Sequence, residues 1–188
     1  MMSDIRTARL RLAAWTPENL DALIDLNAVR LEELLGAQFP VPLRAPPETD
    51  DILLFMRNLL ATDEIARAWP PRFIIRLEDE LVVGSAGTGF PTGDPATSVM
   101  GYGVYPEFEG RGYATETARA LVAWAFQHPE TAVVRATVHG ENVGSRRVVM
   151  KAGLDQTGDQ LFTDDGLLDV WEIERAHFEL TAGDRSAI

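Results

Sequence analysis

The stretch Gly103-Val104-Tyr105-Pro106-Glu107-Phe108-Glu109-Gly110-Arg111-Gly112-Tyr113-Ala114-Thr115-Glu116 constrains this chain most, because it runs a strand through a glycine-rich turn directly into a helix. Glycines at 110 and 112 let the main chain fold tightly and approach a ligand. The free N–H groups and dipole of the helix start then favour an anion, and a pyrophosphate is the natural guest. Helix-start glycines also serve plain turns, so the pattern by itself leaves both readings open. A dinucleotide fingerprint fits poorly: its third glycine is Thr115, and no acidic residue is clearly placed about 20 positions on. Nor is there a Gly-Lys-Ser/Thr for a nucleotide triphosphate loop.

Around this stretch the chain alternates strand and helix patterns. Residues 5–15 read as a strand, and Thr16 as N-cap of a helix with Pro17 at its first position and a Trp15–Leu20 staple. An apolar stripe of Leu20, Leu23, Ile24, Leu31, Leu34 and Leu35 follows, with a break expected near residue 30. Ile52, Phe55, Met56, Leu59 and Leu60 mark another amphipathic helix, ended by Pro70-Pro71. Residues 73–77 and 81–90 read as a hairpin across Glu78-Asp79-Glu80, and 98–105 as a further strand. A helix over 112–127 leading to a strand over 131–138 makes a β-α-β unit. A short helix over 142–151 precedes strands over 154–162 and 168–174, joined by Thr163-Asp164-Asp165-Gly166, where Asp-Gly favours a tight turn. Residues 181–188 read as a frayed tail.

The 188 residues, 46% apolar, suit one compact domain over 1–188. No apolar run reaches the roughly 20 residues needed to span a bilayer, and the N-terminus lacks a secretion-signal layout, so the expected location is cytoplasmic. With no cysteine and three scattered histidines, thiolate chemistry, disulfides and a metal centre are not expected. The net charge of −12 opposes nucleic-acid binding and mildly favours cationic partners such as amines or basic peptides.

A second block, Glu141-Asn142-Val143-Gly144-Ser145-Arg146-Arg147-Val148-Val149-Met150-Lys151-Ala152-Gly153-Leu154, follows the crossover strand. Together the two blocks resemble the GNAT N-acetyltransferase superfamily. Its Gln/Arg-x-x-Gly-x-Gly/Ala hallmark is matched from Glu109 to Ala114, its Asn-x-x-Ser at Asn142 and Ser145, and its Lys-x-Gly-Phe at Lys151, Gly153 and Leu154. The wording at 106–116 is particularly similar to the ribosomal-protein N-terminal acetyltransferase branch. Two positions depart from the pattern. Glu109 replaces Gln or Arg and, since a carboxylate facing a pyrophosphate would repel it, is expected to point outward. Leu154 replaces Phe.

The resemblance implies an α/β fold, a mixed and mainly antiparallel twisted sheet with splayed central parallel strands, helices on both sides and two N-terminal helices as an acceptor-site lid. It implies acetyl-CoA as co-substrate, wedged between strands diverging near 104 and 138. Gly110, Arg111, Gly112, Tyr113 and Ala114 would hold its phosphates, and Val104 and Tyr105 would offer main-chain groups to the pantetheine and the thioester oxygen. Asn142 would bond the pantetheine as well as cap its helix, and Ser145 would reach the sulfur as the leaving thiolate forms. Ser145 could equally bond local backbone, and the Tyr102 and Tyr105 rings could be core. Among Arg111, Arg146, Arg147 and Lys151, only Arg111 is expected at phosphate.

No general base stands out. His139, Glu107, Glu141, Asp169 and Glu172 are candidates. His128 fits a helix C-terminus, His177 is incidental, the four tryptophans read as core or cleft wall, and Glu116 as a solvated first-turn acid. An α-amino acceptor, with a reference pKa of about 8, needs a weaker base than lysine at about 10.4. The expected function is direct acetyl transfer to a primary amine, a peptide N-terminus or a small amine, without metal, nucleic acid or membrane. The oligomeric state stays open, a homodimer included. The alternative is a non-catalytic acyl-CoA-binding or regulatory module.

Overall fold

The computed structural model describes residues 4–47, 49–89, 94, 96–163 and 166–185. Eight strands form one mixed sheet in the order β1-β2-β3-β4-β5-β6-β8-β7. They are Ile5–Arg6 (β1), Leu10–Ala14 (β2), Arg72–Arg76 (β3), Leu81–Gly89 (β4), Thr97–Val104 (β5), Val133–His139 (β6), Asp155–Thr163 (β7) and Gly166–Glu174 (β8). Among the strand pairings of the described residues, β5 and β6 pair in parallel, and a helix joins them, as a parallel pair requires. No helix among the described residues is long and apolar enough to cross a membrane.

The chain packs as two compact units, Met1–Gly87 with Tyr102–Thr117, and Thr88–Gly101 with Ala118–Ile188. In the first, the strand expected over 5–15 is two strands, because Thr7 N–H donates to Leu10 O at 2.9 Å and turns β1 back on β2. Helix α1 (Pro17–Ile24) starts as expected: Thr16 Oγ1 accepts from Asn19 N–H, and Asn19 Oδ1 from Thr16 N–H, a reciprocal box with asparagine in the usual Glu/Gln place. The break expected near 30 falls at 25–27, where Asn27 caps α2 (Ala28–Leu35) and Gly36, at φ +59°, ends it. The following stripe is less buried than its spacing suggests. In α3 (Leu53–Thr62) the core takes Leu53 and Leu60 with Met56 against it, while Phe55 is 63% exposed. A short helix α4 (Glu64–Ala68) follows.

These helices cover a core of Trp15, Leu20, Leu31, Phe39, Phe73 and Tyr105. Burying a large apolar side chain contributes on the order of 1.5–3 kcal/mol. Here β3 and β4 form the expected hairpin with one irregularity. Ile74 faces Gly84 while Ile75 faces Val82, so Val83 is an extra residue whose carbonyl turns to Tyr105 N–H at 2.9 Å. Gly84 is obligatory, because a Cβ there would stand 2.1 Å from Gly103 O. Phe90, the last residue expected in this strand, lies outside the described residues.

In the second unit β8 lies between β6 and β7, and the β7–β8 hairpin is antiparallel as expected; Asp164 and Asp165 of its turn lie outside the described residues. Helix α5 (Tyr113–Ala125) runs from the first unit into the second, and α6 (Val143–Ala152) ends at Gly153, φ +98°. Ala118, Leu121, Val122, Ala125 and Phe126 are buried, the face read from the sequence. An unforeseen helix, α7 (Arg175–Arg185), makes 181–185 helical where a frayed tail was expected, and residues 186–188 lie outside the described residues. Arg175 ties its start down, donating to the carbonyls of Phe126, His128 and Thr131 at 2.6–3.0 Å.

Candidate functional site

The turn ahead of α5 has the geometry its glycines suggest. Gly110 and Gly112 take φ +71° and +82°, left-handed values that cost an L-residue about 1–2 kcal/mol. Residues 109–112, Glu109 among them, are all exposed. The helical bonds begin with Glu116 N–H to Gly112 O at 3.0 Å, so the N–H groups of Tyr113, Ala114 and Thr115 precede any intrahelical acceptor. That is a donor set for an anion. Arg111 folds over its own turn: its guanidinium donates to Glu107 O at 3.3 Å and lies 5.7 Å from the Phe108 ring centroid.

One contributor to this turn is absent from the sequence reading. Arg9 of the β1–β2 connection donates through Nε to Glu116 Oε2 at 2.7 Å and through Nη1 to Arg111 O at 3.1 Å, and its guanidinium lies 5.0 Å from the Tyr113 ring centroid. Glu116 Oε1 accepts from Thr7 Oγ1 at 2.6 Å and from Arg9 N–H at 2.9 Å. Far from being a solvated acid, Glu116 is the hub of a clamp, its side chain 17% exposed. Burial works to raise its pKa, yet the bonds from Thr7 and Arg9 outweigh that and hold it below the ordinary carboxylate range. Thr7 and Arg9 lie more than 100 residues from Glu116, so no local signal in the sequence could have paired them.

Tyr105 needs correction as a main-chain donor, because its N–H is spent on Val83 O. Its ring is buried, its hydroxyl donates to Arg44 O at 2.9 Å, and burial pushes that hydroxyl well above its usual pKa. The Arg44 guanidinium lies 4.7 Å from the ring centroid and also pairs with Glu107. N–H groups alternate in direction along a strand, so with Tyr105 N–H aimed at β4 that of Val104 points away from β4. Gly101 is exposed and residues 102–104 are half-buried. The β5–β6 register runs from Thr97↔Val133 to Val99↔Arg135, while β6 keeps its pairing with β8 through His139.

In the second unit, Asn142 caps α6 as expected, its Oδ1 accepting from Ser145 N–H at 2.9 Å. Asn142 is exposed and Ser145, one turn on, half-buried. Arg146 turns back to Gly140 O at 3.0 Å and lies 6.0 Å from the Trp171 ring centroid, whereas Arg147 and Lys151 are exposed. Of the candidate bases here, His139 and Glu141 are exposed and Glu172 is bound to Arg135 at 2.6 Å. Asp169 is buried and accepts from Gln160 Nε2 at 3.0 Å. His128 stands just past the end of α5 beside Glu130 and the Trp124 ring, consistent with a helix-end role. His177 is an exposed residue of α7. Among the described residues, no group of His, Cys, Asp and Glu could hold a metal ion.

The family model for the acetyltransferase (GNAT) domain matches residues 9–155. An uncharacterized N-acetyltransferase of Bacillus subtilis, YjdG, is 26% identical over 155 residues, covering 79% of this chain and 88% of its own. Among solved structures, aminoglycoside acetyltransferase AAC(6')-Ib in complex with coenzyme A superposes with a TM-score of 0.64 at 22% identity, covering 92% of this chain and 99% of that one. A putative ribosomal-protein-serine acetyltransferase from Vibrio cholerae does so at 0.62 and 17% identity, over 92% and 99%. With a mixed sheet whose two parallel strands lead, one into a glycine turn and the other into an Asn-capped helix, and with the family model matching most of its length, the chain belongs to the GNAT acetyltransferase family.

Proposed function

We propose that this protein transfers the acetyl group of acetyl-CoA to a primary amine by direct attack. The observation that carries this reading is the turn at Gly110 and Gly112, both at positive φ, which opens α5 with three main-chain N–H groups ahead of its first helical bond. A diphosphate meets those donors, and Arg111 is an exposed cation beside them. Val104, rather than Tyr105, is the main-chain donor for the developing oxyanion, since its N–H points away from β4. The NH2 end of Asn142, whose oxygen is taken by the cap, serves the pantetheine amide, and Ser145 serves the sulfur.

In the reaction the amine lone pair attacks the thioester carbon, a C–N bond forms, the C–S bond breaks, and the amine proton leaves to water or a base. The CoA thiolate takes up one proton, for which the Ser145 hydroxyl is the proposed donor, regaining its own from water. The net charge of −12 favours a cationic acceptor. A protein N-terminus fits the resemblance at 106–116 and the name of the Vibrio relative; a small amine fits another neighbour, crystallised with kanamycin. A thiol-release screen with acetyl-CoA tests both, using ribosomal-protein N-terminal peptides, aminoglycosides and polyamines as acceptors. Release that depends on one class names the acceptor. Tight CoA binding without release for any amine would favour the non-catalytic module, and NAD binding without CoA binding would overturn the reading.

A further inference from the structure

We propose that Arg9 and Glu116 act as positioning residues for the CoA diphosphate, working through the peptide bond between Arg111 and Gly112. This rests on the acetyl-CoA reading of the turn. A trans peptide is planar, with its C=O and N–H on opposite sides. Arg9 Nη1 pins the Arg111 carbonyl from one side at 3.1 Å, so the Gly112 N–H must point to the other. Glycine at φ +82° is free to flip that peptide, and the flipped form would aim a carbonyl oxygen at the phosphate instead of a donor. The clamp removes that choice.

Glu116 makes Arg9 dependable. Its Oε2 takes Arg9 Nε and Nη2, both at 2.7 Å, and its Oε1 takes the Arg9 main-chain N–H and the Thr7 hydroxyl. The guanidinium is thereby anchored on one edge while its other edge holds the turn. Arg9 Nη2 lies in van der Waals contact with the place a Cβ of residue 112 would take, 3.4 Å away, so the clamp packs directly on this turn. Glu116 sits in the first turn of the same helix, which couples the turn to the donor groups of residues 113–115.

The test turns on a sign. If Glu116 acted on CoA by charge alone, Glu116→Gln would remove a negative group near an anionic ligand and tighten binding. The clamp requires the opposite. Calorimetric titration with CoA should show Glu116→Gln and Arg9→Ala each weakening binding by about tenfold, the worth of one lost hydrogen bond to a charged group. The double variant should be no weaker than Arg9→Ala, because both changes break one device. Arg9→Lys should restore only part of the loss, since an ammonium cannot reproduce the planar fork that serves Glu116 and the Arg111 carbonyl together. Glu116→Gln binding CoA as tightly as the parent or more tightly would overturn the proposal. So would additive losses, or losses confined to variants whose circular dichroism and melting transition have also collapsed. If the parental protein itself fails to bind CoA, the acetyl-CoA reading falls first.

Discussion

The starts of α5 and α6 are both helix N-termini, yet they are built in opposite ways. At α6 the order comes from within: Asn142 accepts from Ser145 three residues on, and the cap needs nothing else. At α5 the preceding residue is Gly112, which has no side chain, and the turn takes its order from Thr7 and Arg9, 109 and 107 residues from Glu116. A local cap forms whenever the helix forms. A long-range clamp forms only when β1, β2 and α5 are already packed, so its contribution is tied to the folding of the first unit.

The sharpest way to break this contrast is Gly112→Asp. It forces a side chain into φ +82°, puts a carboxylate beside Arg9 Nη2, and sets a negative charge where the diphosphate meets main-chain donors. CoA affinity should fall about 100-fold or more, as for two lost bonds to a charged ligand at roughly 1.5–3 kcal/mol each. Unchanged affinity in titration would show the turn to be structural only. On the α6 side the expected effect is kinetic. Ser145→Ala should lower turnover by roughly tenfold to a few hundredfold while leaving acetyl-CoA binding nearly intact, because help to a leaving thiolate grows in the transition state. Parental turnover with an identified acceptor would remove Ser145 from the chemistry.

Two smaller effects separate local from distant order. Asn142→Ala removes the cap and should cost about 1 kcal/mol. That is about 2–4 °C in melting temperature for a chain of this size, and Asn142→Ser should restore most of it. The smallest concerns pH. Glu116 has its folded pKa depressed, so its stabilisation is present above the unfolded value of about 4.3 and is lost as pH falls through the folded one. Denaturant midpoints measured from pH 6 down to pH 3 should decline less steeply for Glu116→Gln than for the parent. Parallel profiles would mean that the clamp carries no linkage.

Elements whose signals are local were legible. The Thr16 cap, the Asn142 cap, the 77–80 hairpin turn and the glycines at 110 and 112 all follow from residues within four positions of one another. What escaped had no local trace. α7 follows β8 without a break and is fastened by Arg175 to carbonyls 44–49 residues back. The spacing of α3 suggested a buried stripe, but only Leu53, Met56 and Leu60 meet the core, because period alone does not fix how wide a face the packing covers. Tyr105 looked like a donor at a splayed strand end; the extra residue at Val83 turned a carbonyl onto its N–H.

By itself, then, the sequence determined the parts that chemistry demands in a fixed short order: a strand, a glycine turn, a helix start, and a capped helix with a serine one turn in. Those depend on backbone freedom and on side chains reaching their own neighbours. Tertiary structure decided which atoms within those parts remain available. It spent the Tyr105 N–H on β4, turned Val104 away from it, and brought Arg9 and Glu116 together across more than 100 residues to hold one peptide plane. A carbonyl or guanidinium supplied from a distant strand leaves no spacing in the sequence, because its position is set by the packing of the sheet and not by the chain between.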